Sequence, residues 1–413
     1  MPSGRSRAPI EDRLADAGLP PLPRTAWLEI DLDAIAANLA LLREIAGPGV
    51  PVMPVVKADA YGHGSVPIAL ALEKAGVDGL CVAAVDEALA LRAGGVRVPI
   101  VVLYPAPAGF AAEAAGLDIA LAVGDAAGLA ATLAAAAGLD AVGPLRLELE
   151  VETGLGRGGF LPAEVASVAG RIAAAPGVEL RGVWTHFQAV EDEPATVAQV
   201  GRFEAALASI AAAGIRLPAR HLAASAALLT DGQLAYDGVR PGLAIYGLVP
   251  DELGPAIDGP GRGLRPAMAL YARPVRVADL PSGSGISYGP TFRTTRPSQI
   301  ATLPLGYADG WPRALSNRGW AIVRGVRVPL VGNVAMDAVM ADATDVPGPP
   351  VDGTDEFVLI GGSGSGPITV GDLAQERTTN SWEVVTGMSR RLPRVYHAAA
   401  GAVGLRTLTE PRG

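Results

Sequence analysis

A lysine directly after an apolar stretch is the first group in the sequence that could do chemistry. Lys57 follows Val55 and Val56, and the glycine-flanked segment YGHG begins shortly afterwards at Tyr61. Burial of a lysine stem lowers the pKa of its amine, which is the condition for Schiff-base chemistry. Spacing alone is also typical of a lysine that extends from a strand end into water. The glycines, which let a ligand approach the backbone closely, favour the chemical interpretation.

Two arginines stand at positions where structure alone does not require them. Arg157 lies in the glycine-rich segment ETGLGRGG, and its planar, permanently charged fork suits an anionic oxygen. An ordinary surface loop with an ion pair would look the same. Arg240 interrupts the apolar segment VRPGLAIYG, where an unpaired charge is costly, so we expect it to have a partner. Ser225, earlier in the chain, adds a hydroxyl that could hold a phosphate together with backbone donors.

A histidine, two tyrosines and a methionine complete the set of candidates. His186 closes the apolar segment WTHF, a place that suits a structural histidine as well as a catalytic one. Tyr288, Tyr307 and Met336 lie in the segments SYG, GYADGW and VAMD, each of which is by itself compatible with simple turns. The histidines and the single cysteine lack the short spacings of metal ligands, so we expect no metal site. The chain also has no dinucleotide fingerprint and no GxSxG nucleophile elbow.

The elements that carry these residues alternate between short β-type runs and Ala/Leu-rich helical stretches. Strands are predicted at 52–56, 80–83, 100–103, 119–123, 145–151, 180–185, 220–223 and 239–246. Eight strands, each followed by a helix, are typical of a (β/α)8 barrel, whose catalytic groups gather at the carboxyl ends of the strands. A doubly wound open sheet is the alternative, because the pattern does not count strands reliably.

The pattern changes near residue 250. A Gly/Pro-rich connection over 250–266 leads into short strands separated by turns. We therefore expect a disordered or extended tail over 1–24, a barrel over 25–265 and a mostly β domain over 266–413. The first strand, near 27–31, could belong to the β domain.

Composition limits the classes of function. The 413 residues include 33 Lys and Arg against 42 Asp and Glu, and the resulting charge of −9 argues against nucleic acid or an anionic membrane as partner. One cysteine cannot form an intramolecular disulfide, and the first residues lack the apolar region of a signal peptide. No stretch is long and apolar enough for a membrane span. We expect a cytoplasmic protein.

The motifs together resemble those of one enzyme family. The segments VVKADAYGHG, ETGLGR, THF, RPGLAIYG, SYG, GYADGW, MD and RLPRVY occur in the order in which alanine racemases carry them. The resemblance runs from about residue 25 to the end of the chain. It implies a (β/α)8 barrel followed by a β domain, pyridoxal 5'-phosphate as cofactor, and interconversion of L- and D-alanine. It also implies a homodimer in which one subunit's barrel and the other subunit's β domain share each active site.

By this resemblance, Lys57 holds the cofactor as a Schiff base and acts as one base, while Tyr288 of the partner subunit is the second base. Racemisation removes a proton from one face of the substrate carbon and delivers one to the opposite face, which an opposed pair of bases can do. The residues expected around the cofactor phosphate are Tyr61, Ser225 and the backbone at Gly242 and Leu243.

The resemblance also assigns roles around the cofactor ring and the substrate. Arg240, backed by His186, is expected to face the pyridine nitrogen and keep it unprotonated, which favours controlled reprotonation over side reactions. Arg157 is expected to contact the phenolic oxygen and to help bind the substrate. The backbone amide of Met336 would bind the substrate carboxylate, and Tyr307 would line the entrance.

Several positions depart from the usual family pattern. Glu150 stands where many members have a lysine, carbamylated in some, and we hypothesise that it supplies a permanent anion beside Arg157. A simple strand-end acid is the alternative. Ala224 replaces a common asparagine, while Asn333 and Arg390 could widen or re-polarise the entrance. A racemase of serine or of a larger or basic amino acid, and a non-catalytic homologue that binds pyridoxal phosphate, therefore remain alternative functions.

Overall fold

A computed structural model describes residues 8–137, 143–254, 260–362, 366–399 and 401–409. The described chain folds as two units. The barrel unit consists of Ala34–Tyr61 and Ser65–Arg265, and the β unit consists of the chain up to Asp33, Gly62–Gly64 and the chain from Pro266 onward. Residues 255–259 of the predicted connection lie outside the described residues, as do residues 1–7 of the predicted tail.

Parallel strands form the sheet of the barrel unit, each paired with its neighbours in chain order. The strands are Leu80–Val82, Ile100–Val102, Ile119–Val123, Leu145–Glu150, Val178–Trp184 and Ala219–His221. The first four are buried along almost their whole length, as expected for parallel strands covered by helices.

Two short segments close this sheet into a ring. Val55 forms a parallel bridge with Cys81 at one edge of the sheet. Val52 forms a parallel bridge with Val239. At the other edge, the N–H of Arg240 donates to the carbonyl of Ala223 at 2.9 Å. The eight segments therefore form the expected (β/α)8 barrel, and the open-sheet alternative is wrong.

Helices connect the barrel strands. They are Leu32–Ala46, Lys57–Tyr61, Ser65–Lys74, Val85–Ala93, Ala111–Gly116, Ala126–Ala136, Val165–Ala173, Glu193–Ala212 and Ser225–Thr230. Helix Val165–Ala173 shows how the sequence defines their inner faces. Its buried residues are Val165, Val168, Ala169 and Ile172, the spacing of one helix face.

The strand predicted over 239–246 is only partly present. Val239 makes its bridge, but Leu243–Tyr246 forms a 3-10 turn. Pro241 has no N–H to continue a ladder, and Gly242 turns the chain with φ −99° and ψ −91°. The end of the barrel therefore presents backbone N–H groups instead of a paired strand. The other 3-10 turns are Ala108–Phe110, Gly232–Ala235, Asp251–Leu253, Pro260–Gly263, Tyr307–Asp309 and Arg313–Leu315.

The β unit is built on a ten-stranded sheet. In spatial order its strands are Gly401–Arg406, Arg394–Ala398, Ala26–Asp31, Met268–Ala272, Phe357–Ile360, Trp320–Val323, Val326–Val331, Val339–Asp342, Ser298–Leu303 and Arg276–Leu280. A separate hairpin pairs Gly285–Ile286 with Phe292–Arg293. The helices of this unit are Ile10–Asp16, Val370–Arg377 and Ser381–Thr386. The early strand Ala26–Asp31 pairs in parallel with Arg394–Ala398 and antiparallel with Met268–Ala272.

The expected disordered or extended tail does not describe residues 10–16. Helix Ile10–Asp16 buries Ile10 and Leu14 in a cluster with Trp27 and Tyr271. Arg13 adds an ion pair with the buried Glu29 at 2.8 Å. Apolar residues at i and i+4 anchor this helix, whereas the prolines and charges of the surrounding sequence predicted a tail without packing.

The short segment Gly62–Gly64 belongs to the β unit, although barrel residues flank it on both sides. Nε of Arg394 donates to the carbonyl of Gly62 at 2.9 Å. The hydroxyl of Tyr396 donates to the carbonyl of His63 at 3.1 Å. The stretch that follows Lys57 is thus held by the strand Arg394–Ala398. None of the described helices is long and apolar enough to cross a membrane.

Candidate active site

Lys57 opens a single helical turn, Lys57–Tyr61, whose backbone is left-handed. The three central residues have φ between 52° and 57° and ψ between 44° and 53°. A left-handed helical backbone costs an L-residue about 1–2 kcal/mol, so the surroundings must hold the turn in place. One such contact is the carboxylate of Glu87, which accepts the N–H of Ala58 at 2.6 Å.

The amine of Lys57 has a lowered pKa. Burial is the main cause, and the positive charge of Arg157 acts in the same direction. The carboxylate of Glu87 opposes the shift. A larger neutral fraction at a given pH makes this amine a better nucleophile and base than an exposed lysine.

Tyr61, Ser225 and Gly242 come together at the end of the barrel. The hydroxyl oxygen of Ser225 accepts the N–H of Gly242 at 2.9 Å and that of Ala244 at 3.1 Å. Both lone pairs of that oxygen are then used, so its hydrogen remains available as a donor. A Cβ on Gly242 would lie 2.6 Å from the hydroxyl oxygen of Tyr61, so this approach requires glycine. The arrangement is a cradle of donors suited to an anion.

Arg240 is fully buried and held by hydrogen bonds from both terminal nitrogens. Nη1 donates to the carbonyl of His221 at 2.7 Å and to Nδ1 of the same residue. Nη2 donates to the carbonyls of Thr185 at 2.8 Å and Leu222 at 3.4 Å. The guanidinium also lies over the ring of Trp184, 4.9 Å from its centroid. Nε makes no hydrogen bond within the described part of the chain. The Nε–H is therefore the one donor of this guanidinium that remains without a partner there.

His221 in turn contacts a buried carboxylate. Its Nε2 lies 2.9 Å from Oε2 of Glu148, and both side chains are buried. The resemblance implied that His186 backs Arg240, but the histidine bonded to this arginine is His221. This part of the expectation is therefore corrected. The role of His186 at the cofactor stays a prediction.

His186 lies in a strongly positive environment. Burial lowers its pKa to about 3, and the charges of Arg240, Arg157 and Lys57 contribute to the shift. The ring is therefore neutral at ordinary pH. The backbone carbonyl of His186 accepts a hydrogen bond from Nε2 of Gln199 at 3.2 Å. This bond ties the end of strand Val178–Trp184 to the following helix.

Arg157 and Glu150 form a loose ion pair at the mouth of the barrel. Nη2 of Arg157 lies 3.8 Å from Oε1 of Glu150, and the guanidinium lies over the ring of Tyr104 at 5.4 Å. Burial raises the pKa of Glu150, while the charges of Arg157 and Arg240 lower it. The half-exposed Arg157 keeps donors free of strong ion pairing and faces the same region as Lys57.

Tyr288 stands on an exposed turn of the β unit, with 77% of its surface accessible. The side-chain amide of Asn333 donates to the carbonyls of Tyr288 at 2.8 Å and Gly289 at 3.2 Å. The hydroxyl of Ser287 donates back to the carbonyl of Asn333 at 2.6 Å. Asn333, expected from the sequence at the substrate entrance, thus holds the turn that carries Tyr288. Ser287 has a positive φ of 64°, so the turn is strained and needs this support.

Tyr307 and Met336 are brought together by backbone hydrogen bonds. The N–H of Tyr307 donates to the carbonyl of Ala335 at 3.1 Å, and that of Ala308 donates to the carbonyl of Met336 at 3.1 Å. Both side chains are exposed, to 44% and 52%. With Tyr288, they form an exposed group of large side chains joined through the loop 332–336.

The structure thus collects the predicted residues in two groups. The barrel group is Lys57, Tyr61, Arg157, His186, Ser225, Arg240, Gly242 and Leu243, and the β-unit group is Tyr288, Tyr307 and Met336. Sequence reasoning missed Glu148 and His221. A signal was present, because Glu148 and Glu150 alternate along the strand LRLELE and therefore point to the same face.

Known proteins match this chain along both units. Residues 30–250 match the family model described as "Alanine racemase, N-terminal domain", and residues 267–396 match "Alanine racemase, C-terminal domain". The alanine racemase of Symbiobacterium thermophilum is 44% identical over 380 residues, 90% of this chain and 97% of that protein. That of Thermobifida fusca is 42% identical over 382 residues, 91% of this chain and 98% of that protein.

Solved structures agree. Alanine racemase from Bacillus anthracis with bound L-Ala-P has a TM-score of 0.85 and 34% identity, covering 94% of this chain and 98% of that one. Alanine racemase from Streptomyces lavendulae, a D-cycloserine producer, has a TM-score of 0.84 and 38% identity, covering 92% and 98%. The chain therefore belongs to the alanine racemase family.

Proposed function

We propose that Lys57 and Tyr288 of the partner subunit are the two bases of this enzyme. The chain is an alanine racemase that depends on pyridoxal 5'-phosphate. When bound, the cofactor supplies the electron sink that makes the Cα proton of an amino acid removable. The residues of the chain must then take a proton from one face of Cα and deliver one to the other face.

The side chains of the barrel fit this cofactor. The strongest support for this cofactor is Arg240. Four hydrogen bonds hold its terminal nitrogens and leave Nε–H as a fixed donor in a buried place. Such a donor suits an unprotonated ring nitrogen, because arginine keeps its own proton. The free hydroxyl hydrogen of Ser225, the hydroxyl of Tyr61 and the close approach at Gly242 suit the phosphate.

Lys57 is suited to hold the cofactor and to exchange a proton with the substrate. Burial and the nearby charge of Arg157 lower the pKa of its amine, so a larger fraction of it is neutral than in an exposed lysine at the same pH. The left-handed turn after it restricts the backbone on which it stands. Arg157 presents a planar cation beside it for the phenolic oxygen and for an anionic substrate group. The backbone amide of Met336 and the ring of Tyr307 are proposed to complete the substrate site.

We further propose a homodimer in which Tyr288 serves the partner's barrel. Three large side chains, Tyr288, Tyr307 and Met336, are exposed, and hydrogen bonds tie the segments that carry them to loop 332–336. Exposed large side chains that form a contiguous patch mark interaction sites, which is the arrangement we propose for these three. The proposal includes a cytoplasmic location, which fractionation of the source cells would test.

Mixing two inactive variants tests whether the two subunits share each active site. Lys57→Ala should abolish the visible absorption of the bound cofactor and the circular-dichroism decay of L-alanine. Tyr288→Phe should remove racemisation while cofactor affinity stays near the original. After subunit exchange, hybrid dimers would have one intact site of two, and about a quarter of the original activity should return. If no activity returns although mass spectrometry shows hybrid dimers, the shared site is refuted.

The substrate range is tested by kcat/KM for alanine, serine, lysine and arginine. We expect alanine to be turned over most efficiently. Weak alanine turnover beside efficient turnover of serine or a basic amino acid would favour the broader racemase. Cofactor absorption without turnover of any of the four would favour a non-catalytic homologue.

A further inference from the structure

We propose that Glu148 is a positioning residue for racemisation, which fixes the hydrogen-bonding state of His221 and through it the orientation of Arg240. The inference rests on the proposed role of Arg240 at the cofactor's ring nitrogen. It adds a residue on a strand of the barrel that is two hydrogen bonds removed from Arg240.

The contacts form one continuous chain inside the barrel unit. Oε2 of Glu148 lies 2.9 Å from Nε2 of His221, and Nδ1 of His221 is bonded to Nη1 of Arg240. All three residues are at most 2% exposed. Gly182, on the neighbouring strand, makes room for the carboxylate, because a Cβ there would collide with Oε2 of Glu148. The carboxylate is therefore a built part of the core and not a chance surface contact.

The direction of each hydrogen bond follows from the chemistry of the two ends. Arginine only donates, so Nδ1 of His221 must carry no proton. A neutral imidazole then has its proton on Nε2, and that proton needs an acceptor; among the described residues, the carboxylate of Glu148 is the one acceptor at this nitrogen. Burial and the charge of Arg240 lower the pKa of His221, against the effect of Glu148. The ring is thus neutral, in one tautomer, and points its lone pair at Arg240.

The same chain aims the remaining donor of Arg240. A second tautomer of His221 would place N–H against N–H and push the guanidinium from its place. Because both terminal nitrogens are bonded when the tautomer is correct, Nε–H has one direction. The anion of Glu148 also balances the buried cation, with Arg181 Nε 3.9 Å away at the outer side. Outer-shell partners of this kind commonly tune the group that contacts a cofactor.

A merely structural carboxylate must be told apart from one that sets a tautomer. Glu148→Gln removes the charge but keeps a carbonyl that accepts the Nε2 proton. Glu148→Leu removes both, and Glu148→Ala serves in its place if the leucine variant does not fold. The matched control is Glu29→Leu in the β unit, since Glu29 is equally buried and its Oε2 lies 2.9 Å from Nε2 of His397.

The first measurement is side-chain ¹⁵N NMR of the histidines, with and without cofactor. The chain has four histidines, so the signals of His221 can be assigned from a His221→Gln spectrum. We expect the Nε2–H tautomer in the original protein and in Glu148→Gln, and its loss in Glu148→Leu. An unchanged His221 tautomer in Glu148→Leu would overturn the proposal.

The second measurement is the ¹⁵N signal of the ring nitrogen of labelled pyridoxal phosphate, with cofactor affinity from fluorescence titration. We expect the signal to move, and affinity to fall about tenfold, in Glu148→Leu but not in Glu148→Gln or Glu29→Leu. Equal changes in Glu29→Leu would reduce Glu148 to a stabilising residue and refute the inference. A protonated ring nitrogen in the original enzyme would contradict the proposed role of Arg240 instead, while the tautomer of His221 would still decide the role of Glu148.

Discussion

The left-handed turn after Lys57 makes an unusual prediction, namely that replacing Ala58 by glycine stabilises the protein. Ala58 has φ 52° and ψ 51°, and its side chain is exposed, so the substitution removes a strained residue and little buried surface. Relief of the left-handed backbone is worth about 1–2 kcal/mol. The added freedom of glycine in the unfolded chain costs about 0.5–1 kcal/mol. The difference predicts a gain of about 0.5–1 kcal/mol in the free energy of unfolding.

Ala131 offers a matched control. It is also exposed, but it lies inside the helix Ala126–Ala136, so Ala131→Gly should lose about 1 kcal/mol. Urea unfolding of the cofactor-free protein, followed by tryptophan fluorescence, would measure both variants with a common slope. The two midpoints should move in opposite directions. A loss of stability in Ala58→Gly as large as that in Ala131→Gly would refute the assignment of strain to this turn.

Three further predictions follow from charges and hydrogen bonds at the site. Glu150→Gln removes the ion pair that positions Arg157, and it should raise the KM for alanine several-fold, because a partly exposed ion pair contributes about 1 kcal/mol. An unchanged KM and cofactor affinity would refute the permanent-anion hypothesis. Asn333→Ala frees two carbonyls of the Tyr288 turn and should lower kcat about tenfold with little change in cofactor affinity, whereas Asn333→Asp should not restore it because the amide donor is still missing. Since the pKa of His186 is lowered to about 3, the folded protein binds fewer protons there than the unfolded chain, so this residue's contribution to stability should decline as pH falls from about 6.5 towards 3. His186→Phe should reduce that slope in acid-unfolding curves, and an identical slope would show that the histidine does not titrate in this way.

Most of the barrel could be predicted from the sequence because its strands are short apolar runs between turn residues. Ile119–Val123 has the predicted bounds. The strands predicted over 80–83 and 100–103 are each one residue shorter in the structure, ending at Val82 and Val102. In the β unit, the apolar pattern over 269–277 predicts one strand, but Pro274 divides it into Met268–Ala272 and Arg276–Leu280, because proline cannot donate to the ladder. Strand Val339–Asp342 and the pair Arg394–Ala398 and Gly401–Arg406 were missed, since their alternation is weak and their partners lie far away in sequence.

For the site, the sequence indicated which residue types stood at strand ends but not which of them touch. Arg240 was expected to have a buried partner, and it has one. That the partner is His221 and not His186 depends on the register between two strands, which periodicity does not reveal. Asn333 was interpreted as an entrance residue, because nothing in the local sequence shows that its amide reaches back to a turn more than forty positions earlier, at Tyr288.

The position of Gly62–Gly64 in the β unit has a consequence for how the protein is made. These residues follow directly on the turn that carries Lys57, and their partner Arg394 lies 332 positions further along the chain. During synthesis, the ribosome therefore releases Gly62–Gly64 long before the strand that anchors this segment exists. Closure of so long a loop is slow, and it must wait for nearly the whole polypeptide. In a fragment or a stalled chain, the residues directly after the lysine turn would lack their hydrogen bonds from Arg394 and Tyr396, so this segment should reach its final position only when translation is almost complete.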